Sequence, residues 1–600
     1  MESLVKVSKV SKNKIIQRKA SWAVMAIVVS LYVFFQIKYH FFTLDHISWI
    51  NTFDGDLSYL TDRLLLNAHF PDYVQISSTD VDYGSELFFF IPLLKLINLV
   101  FGLNPLHSYY VITGMHLISG ITAIFLLSSF FQDHYLEKSL WFIVVFMSPL
   151  FGFHLSYAKP DANVVMLLIA LSLYFCSKTK ISFKFAVAAI FFAASGFAIK
   201  WWGLFCLIPI FVALLKEEKD SSLYVKFARI GLWVSTLLML AASHFIVNEI
   251  LQVLTKNNIH NLLTRSSPIL LKFFFFTCAF IVFIGSYWLL KVLNKKTKKL
   301  FRVMKIILFQ AIIFTTSYLL IAMPFIASGF YLKSVFSFSV GVFKANEIGH
   351  ETRRSIWENA LFWFSEFKDY HYLSPLLAFV FILLFAFCFK KKKQFNASFP
   401  VSITATAYFL AGFTFFIVFL LNRNNRAMIA MLYPFYLMVF FYFFIFFKNS
   451  FTKIIAITAI ALVQIIYQSN GKQGNLLTIY SERDQLRNKV IESNLWLEKN
   501  FSHIKNFYMC DYAFPQTVFT PFKFNYNWRY HCNTNLESDL INQQSSDAWI
   551  IASETIESIT ANHPELLSKK KLTLYSQLFV NERMNYTIIE NLHAAQSAGD

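Results

Sequence analysis

Ser85-Glu86-Leu87-Phe88-Phe89-Phe90-Ile91-Pro92-Leu93-Leu94-Lys95-Leu96-Ile97-Asn98-Leu99-Val100-Phe101 decides how this chain is threaded. It is apolar enough to resemble a membrane span, yet Glu86 opens it, Pro92 interrupts it and Lys95 sits at its middle. A buried ammonium and a helix-breaking proline both disfavour crossing, whereas a helix lying in the interface accommodates them. Whether this segment crosses sets the side of every later loop.

The surrounding sequence makes that a membrane question. Over 600 residues the chain is 56% hydrophobic and 15% charged, with a mean hydropathy of +0.50. Apolar runs fall at 21–37, 85–101, 109–131, 139–156, 162–177, 183–200, 202–215, 229–248, 269–290, 306–327, 372–389, 400–421, 427–447 and 453–467. Runs of about 17–25 residues match the hydrocarbon thickness at 1.5 Å rise per residue. The first run, Ser21 to Ile37, lacks a small-residue cleavage site after it and reads as a retained helix. The 71 Phe are ordinary lipid-facing side chains.

Charge placement then orients the chain. The net charge of +19 comes in short Lys/Arg clusters between apolar runs, which is the positive-inside pattern and not a nucleic-acid groove. Lys6, Lys9, Lys12, Lys14, Arg18 and Lys19 place the N-terminus in the cytoplasm. If every run crossed, Lys295, Lys296, Lys298, Lys299 and Lys390 to Lys393 would lie outside. With 85–101 kept on the outer surface, both clusters return to the cytoplasm, as do Lys178, Lys180, Lys184, Lys216, Lys219, Lys226 and Arg229.

The expectation is an all-α polytopic membrane protein with about thirteen crossings, interfacial helices in its first outer loop and a small C-terminal α/β soluble domain. Residues 1–20 form a cytoplasmic basic arm, 21–468 the transmembrane domain, 38–108 an acidic outer loop and 469–600 an extracytoplasmic domain. In that last domain 506–512 and 548–552 read as strands, and 476–501 and 554–568 as helices. Cys510 and Cys532 stand there and form a disulfide if the domain is outside the cytoplasm. Cys176, Cys206, Cys278 and Cys388 lie in or beside apolar runs and read as small fillers.

Chemistry is expected on the outer face. The first loop carries Asp54, Asp56, Asp62, Asp72, Asp80, Asp82 and Glu86. Asp54 and Asp56 flank Gly55 before a helical pattern, so each also suits an N-cap, and Asp80-Val81-Asp82 has the same two readings. Tyr157-Ala158-Lys159-Pro160-Asp161-Ala162-Asn163 joins two runs so closely that Asp161 falls at the membrane edge. Asp161 suits a cap, a base or a cation ligand. Lys200, followed by Trp201 and Trp202, is either a belt anchor or a phosphate ligand. Arg353, Arg354, Arg423 and Arg426 are cations on the outer side that need counter-charges, from a lipid phosphate or from the loop acids. Walker, GxGxxG, GxSxG and zinc-type spacings are absent from the sequence, which leaves no signature of a nucleotide-driven transporter or a serine hydrolase.

Three of these segments resemble the GT-C superfamily of glycosyltransferases, nearest to lipid A aminoarabinose transferases and protein O-mannosyltransferases. They are Asp54-Gly55-Asp56-Leu57-Ser58-Tyr59, then Lys159-Pro160-Asp161 entering Val164-Val165-Met166-Leu167-Leu168, then Ser195-Gly196-Phe197-Ala198-Ile199-Lys200-Trp201-Trp202-Gly203-Leu204 running to Pro209. The likeness covers roughly 20–215, with Arg423 to Pro434 a looser echo. In this chain Gly55 splits the family's adjacent acidic pair, and Tyr83-Gly84 stands where Lys-Pro often follows the later acid.

The resemblance implies transfer of a sugar from a polyprenyl-phosphate donor to a lipid, glycan or protein acceptor. The setting would be the outer face of a bacterial inner membrane or the endoplasmic reticulum. Asp56 or Asp54 would act as general base, aided by Asp161. Lys200 with one or more of Arg353, Arg354, Arg423 and Arg426 would stabilise the leaving phosphate. Asp56, Asp82 and Asp161 are the set for a divalent Mg or Mn ion, and no nucleotide cofactor is expected. A flippase for lipid-linked sugars and an oligosaccharide transferase or polymerase are the alternative expectations.

Overall fold

The structure is a computed structural model that describes residues 2–36, 105–131, 134–147, 163–179, 182–199, 201–216, 223–239, 268–294, 299–326, 501–509, 525–528, 547–562, 564–579 and 582–591, with isolated positions elsewhere. Most described residues are helical. They are α1 (Glu2–Gln36), α2 (Pro105–Ser128), α3 (Tyr135–Met147), α4 (Asn163–Ser177), α5 (Lys184–Ile199), α6 (Leu207–Lys216), α7 (223–239), α8 (Pro268–Asn294) and α9 (Lys299–Ile326). A 3-10 turn, Trp201–Cys206, leads directly into α6.

These helices share an apolar core in which Ile124, Trp141, Phe142, Val165, Ile190, Trp202, Ile210, Tyr224 and Phe309 are buried. Phe183, in the turn before α5, sits against Tyr224, Phe227 and Phe309 with ring centres 5.0, 5.2 and 5.0 Å away. Outside this core the helices remain apolar. Ile281, Val282, Ile284 and Trp288 of α8, and Ile230, Trp233 and Leu237 of α7, are all exposed.

One helix among the described residues is long and apolar enough to cross a bilayer, the 22-residue stretch Leu300–Ile321 of α9. At 1.5 Å per residue it reaches about 33 Å, against a hydrocarbon core of about 30 Å. Shorter apolar stretches among the described residues include Asn163–Ser177 and Lys184–Ile199.

Several boundaries differ from the sequence expectation for identifiable reasons. The basic arm 1–20 and the first apolar run form one helix, Glu2–Gln36, since no Gly or Pro interrupts that stretch. The run 202–215 divides into the 3-10 turn and a ten-residue α-helix, α6. Of the segment 85–101, residues 96–97 and 99–101 are described and helical, with Leu99 and Phe101 exposed.

The C-terminal part holds a five-stranded sheet of order β2-β1-β3-β5-β4. Its strands are β1 (Asn506–Met509), β2 (Asn525–Trp528), β3 (Asp547–Ala552), β4 (Lys570–Phe579) and β5 (Glu582–Asn591). β1 pairs parallel with β2 and β3, and β5 pairs antiparallel with β3 and β4. The expected helix 554–568 is present as α10 (Ser553–Asn562) and α11 (Pro564–Leu567). Pro564 has no N–H to continue α10 and is suited to the first turn of the next helix. Trp549, Ile551 and Ile589 on one sheet face pack with Ile556 and Leu567 of these helices.

Candidate functional site

Asp54, Asp56, Asp82, Asp161, Lys200, Arg353, Arg354, Arg423 and Arg426 lie outside the described residues, as do Cys510 and Cys532. The described residues form the scaffold on which two of these positions are strung. α4 begins at Asn163, two residues after Asp161, and α5 ends at Ile199, one residue before Lys200.

α4 and α5 form an antiparallel hairpin through a short turn, where the Thr179 amide and hydroxyl both meet the Cys176 carbonyl, at 3.2 and 2.8 Å. Its register is set by side chains. Ser172 Oγ donates to the Ala189 carbonyl at 2.8 Å, and Phe175 stacks on Phe192 with ring centres 5.5 Å apart and planes 4° from parallel. Gly196 comes over Leu168, where an added Cβ would lie 3.7 Å from the Leu168 Cβ. With pairs 172/189 and 168/196 in contact, the start of α4 and the end of α5 are level. The chain therefore enters α4 and leaves α5 at the same end of the hairpin.

Beyond α5 the chain reverses with almost no clearance. An added Cβ at Gly203 would fall 2.1 Å from the Ala193 carbonyl oxygen and 2.4 Å from the Phe197 amide nitrogen. No side chain fits there, and glycine lets the 3-10 turn lie on the backbone of α5. The turn is also tied from the other side, because Gln310 Nε2 of α9 donates to the Leu207 carbonyl at 3.0 Å. Phe197, in the last turn of α5, packs on Phe314 and Tyr318 of α9, each with a ring-centre distance of 5.4 Å. The turn also packs against α4, with Cys206 buried in the same core as Val165 and Ile169. Residues 199 and 201 are thus fixed by contacts with α4, α5 and α9.

Among the described residues, no group of three or more His, Cys, Asp and Glu could hold a metal ion. One buried carboxylate escaped the sequence reading. Glu590 of β5 is fully buried, 2.6 Å from His503 Nε2 and 3.7 Å from Lys571 Nζ. Its cross-strand neighbours are Ala548 and Lys571. Glu590 sits in a polar-looking stretch, and only the pairing of β5 between β3 and β4 carries it inside.

No family model matches the chain, and no curated protein is similar to it.

Proposed function

We propose that the chain is an integral-membrane glycosyltransferase that takes a sugar from a polyprenyl-phosphate donor at the outer face of the membrane. The observation that supports this best is the antiparallel α4/α5 hairpin. It brings the chain positions next to Asp161 and Lys200 to one end, where the carboxylate that aids the base and a phosphate ligand would need to meet. The exposed apolar faces of α7 and α8 agree with lipid as the surrounding solvent for about thirteen crossings of the GT-C kind.

In this mechanism Asp56, or its rival Asp54, removes the proton from the acceptor hydroxyl as that oxygen attacks the anomeric carbon. The bond from that carbon to the donor phosphate breaks in the same displacement, so the configuration inverts. Lys200 and the arginines at 353, 354, 423 and 426 neutralise the phosphate as it leaves. Asp56, Asp82 and Asp161 offer carboxylates to Mg²⁺ or Mn²⁺. The acceptor is a lipid, a glycan or a protein.

The decisive test is transfer in proteoliposomes with labelled polyprenyl-phosphate sugars, run on wild type and on Asp54→Asn, Asp56→Asn and Asp161→Asn. Wild-type transfer by all three variants would remove the catalytic assignment. Movement of the labelled lipid across the bilayer without transfer would mark a flippase. A cysteine placed at Lys296 that reacts from outside would overturn the topology.

A further inference from the structure

We infer that Arg18, Trp22 and Lys138 form a binding site for the phosphate of an anionic phospholipid at the cytoplasmic interface. The inference rests on the membrane reading above but not on glycosyl transfer.

Arg18 and Trp22 are one turn apart on α1, and Lys138 is in the first turn of α3. The two helices are locked together at this level: Ser139 Oγ lies 2.8 Å from Ser21 Oγ, which donates to the Tyr135 carbonyl at 3.1 Å. Ser21 and Ser139 are both buried. Each flanks a member of the cluster in sequence, so the fold prevents the two cations from drifting apart. Lys138 Nζ stands 5.4 Å from the centre of the Trp22 ring, a cation–π distance. Trp22 in turn stacks on Phe125 of α2, 6.3 Å away and 19° from parallel.

Among the described residues no carboxylate compensates the charge here: neither Arg18 nor Lys138 has one within 4.0 Å, and the adjacent Glu137 is buried with His134 Nδ1 4.0 Å away. Burial and, second, the Arg18 guanidinium hold the Lys138 ammonium below the usual lysine range. An anion between the two cations would remove that repulsion and accept hydrogen bonds from both.

Position selects the kind of anion. Arg18 and Trp22 are exposed at the junction between the basic stretch of α1 and its apolar run, where Ile27, Leu31 and Phe34 are also exposed. A half-exposed Trp beside cations at the end of an apolar helix fits the headgroup level of a bilayer. A phosphate attached to acyl chains would have its charge at Arg18 and Lys138 and its tails along the exposed side of α1.

The test is native mass spectrometry of the full-length protein in neutral detergent, titrated with phosphatidylglycerol, phosphatidylcholine or inorganic phosphate. Wild type should retain phosphatidylglycerol in preference to the other two. Arg18→Ala/Lys138→Ala should weaken that retention by about tenfold, while Lys138→Arg preserves it. Lys14→Ala/Lys19→Ala removes the same charge from the same helix and should leave retention near wild type. Equal retention by wild type and Arg18→Ala/Lys138→Ala would overturn the site, as would an equal loss in the Lys14/Lys19 control. Inorganic phosphate that competes at equal concentration would overturn the lipid assignment. If the double variant is not monodisperse, Arg18→Gln and Lys138→Gln are read singly against the same criteria. Loss of the protein from carbonate-washed membranes would instead refute the membrane reading, and loss of transfer with lipid retention intact would refute only the glycosyltransferase reading.

Discussion

Gly203 lies against Gly196 on the backbone of α5, so close that a Cβ on Gly203 would stand 2.9 Å from the Gly196 carbonyl carbon. A Cβ on Gly196 would meet Gly203 Cα at 3.5 Å, an ordinary contact. The two glycines of one segment thus have unequal tasks. Gly203→Ala should disrupt the turn, costing about 3 kcal/mol or more because backbone atoms, unlike a flexible side chain, cannot yield. Gly196→Ala should cost under about 1 kcal/mol, partly offset by its better helix propensity. Thermal unfolding followed by size-exclusion fluorescence of detergent-solubilised protein separates them, and equal melting temperatures would contradict the packing.

Gln310 provides a second check on the same turn. Its side-chain amide reaches from α9 to the Leu207 carbonyl at 3.0 Å, and Gln310 is buried. Gln310→Leu keeps the bulk and removes the donor, and should destabilise by about 0.5–1.5 kcal/mol, since the Leu207 carbonyl keeps its helical partner and only the side-chain hydrogen bond is lost. Gln310→Glu, which substitutes an acceptor and a buried charge, should do worse. The same melting assay reads both, and a Gln310→Leu variant as stable as wild type would show that the bond contributes nothing.

How much of this was legible beforehand depended on what each segment had to satisfy. Lys184–Ile199 and Asn163–Ser177 follow apolar runs whose ends are marked by Lys178, Lys180, Lys184 and Lys200, so pattern and charge sufficed. The 3-10 turn at Trp201–Cys206 could not be read from hydropathy, because its cause is a backbone-to-backbone approach at Gly203. β4 and β5 were missed for a different reason. Leu572 and Leu574 alternate with Lys571 and Thr573 but remain exposed, and in β5 the buried Ile588 and Ile589 are followed by a buried Glu590, so local hydrophobicity runs against burial through β4 and at one position of β5. Pairing makes them strands: β4 and β5 are antiparallel neighbours up to Phe579 opposite Glu582, and β5 also pairs with the earlier β3. The candidate site was legible only as residue types near membrane edges; the hairpin register that aligns 163 with 199 came from Ser172, Phe175 and Leu168, none of which is chemically suggestive.

Glu590 should be the electrostatic keystone of the C-terminal sheet. It accepts a hydrogen bond from His503 Nε2 at 2.6 Å and has Lys571 Nζ at 3.7 Å while itself fully buried. Glu590→Ala removes the buried charge itself and leaves partners that water can reach, so its cost is the lost hydrogen bond and the space vacated, about 1–3 kcal/mol. Glu590→Gln, which retains the shape, should cost less. Hydrogen exchange of β4 and β5 amides in the full-length protein is the readout, and unchanged protection in Glu590→Ala would refute the assignment.

Lys570 gives that sheet a pH dependence of predictable sign. Burial holds its ammonium below the usual lysine range, and its side chain hydrogen-bonds Asn591 Oδ1. A lowered lysine pKa means that the unfolded state binds the proton more tightly. The penalty is therefore full below the folded pKa and disappears as pH rises through the ordinary lysine range. Lys570→Met has no such group to titrate. Protection of β4 relative to that variant should increase as pH is raised into that range, and a difference between the two proteins that declines with pH would have the wrong sign.

Lys200 separates the two roles open to it in kinetics. As a phosphate ligand it acts on charge that develops as the donor bond breaks, so Lys200→Ala should lower kcat for transfer by about 10²–10³. Lys200→Arg should recover part of this, since a guanidinium also binds phosphate. As a belt anchor it only sets the depth of the segment, and Lys200→Ala would then leave kcat near wild type in proteoliposomes. The neighbouring Trp202 is buried in the core, so it is not an exposed belt residue. Steady-state transfer with a polyprenyl-phosphate sugar, measured for wild type, Lys200→Ala and Lys200→Arg, discriminates between the two, and an unchanged kcat in Lys200→Ala assigns the residue to anchoring.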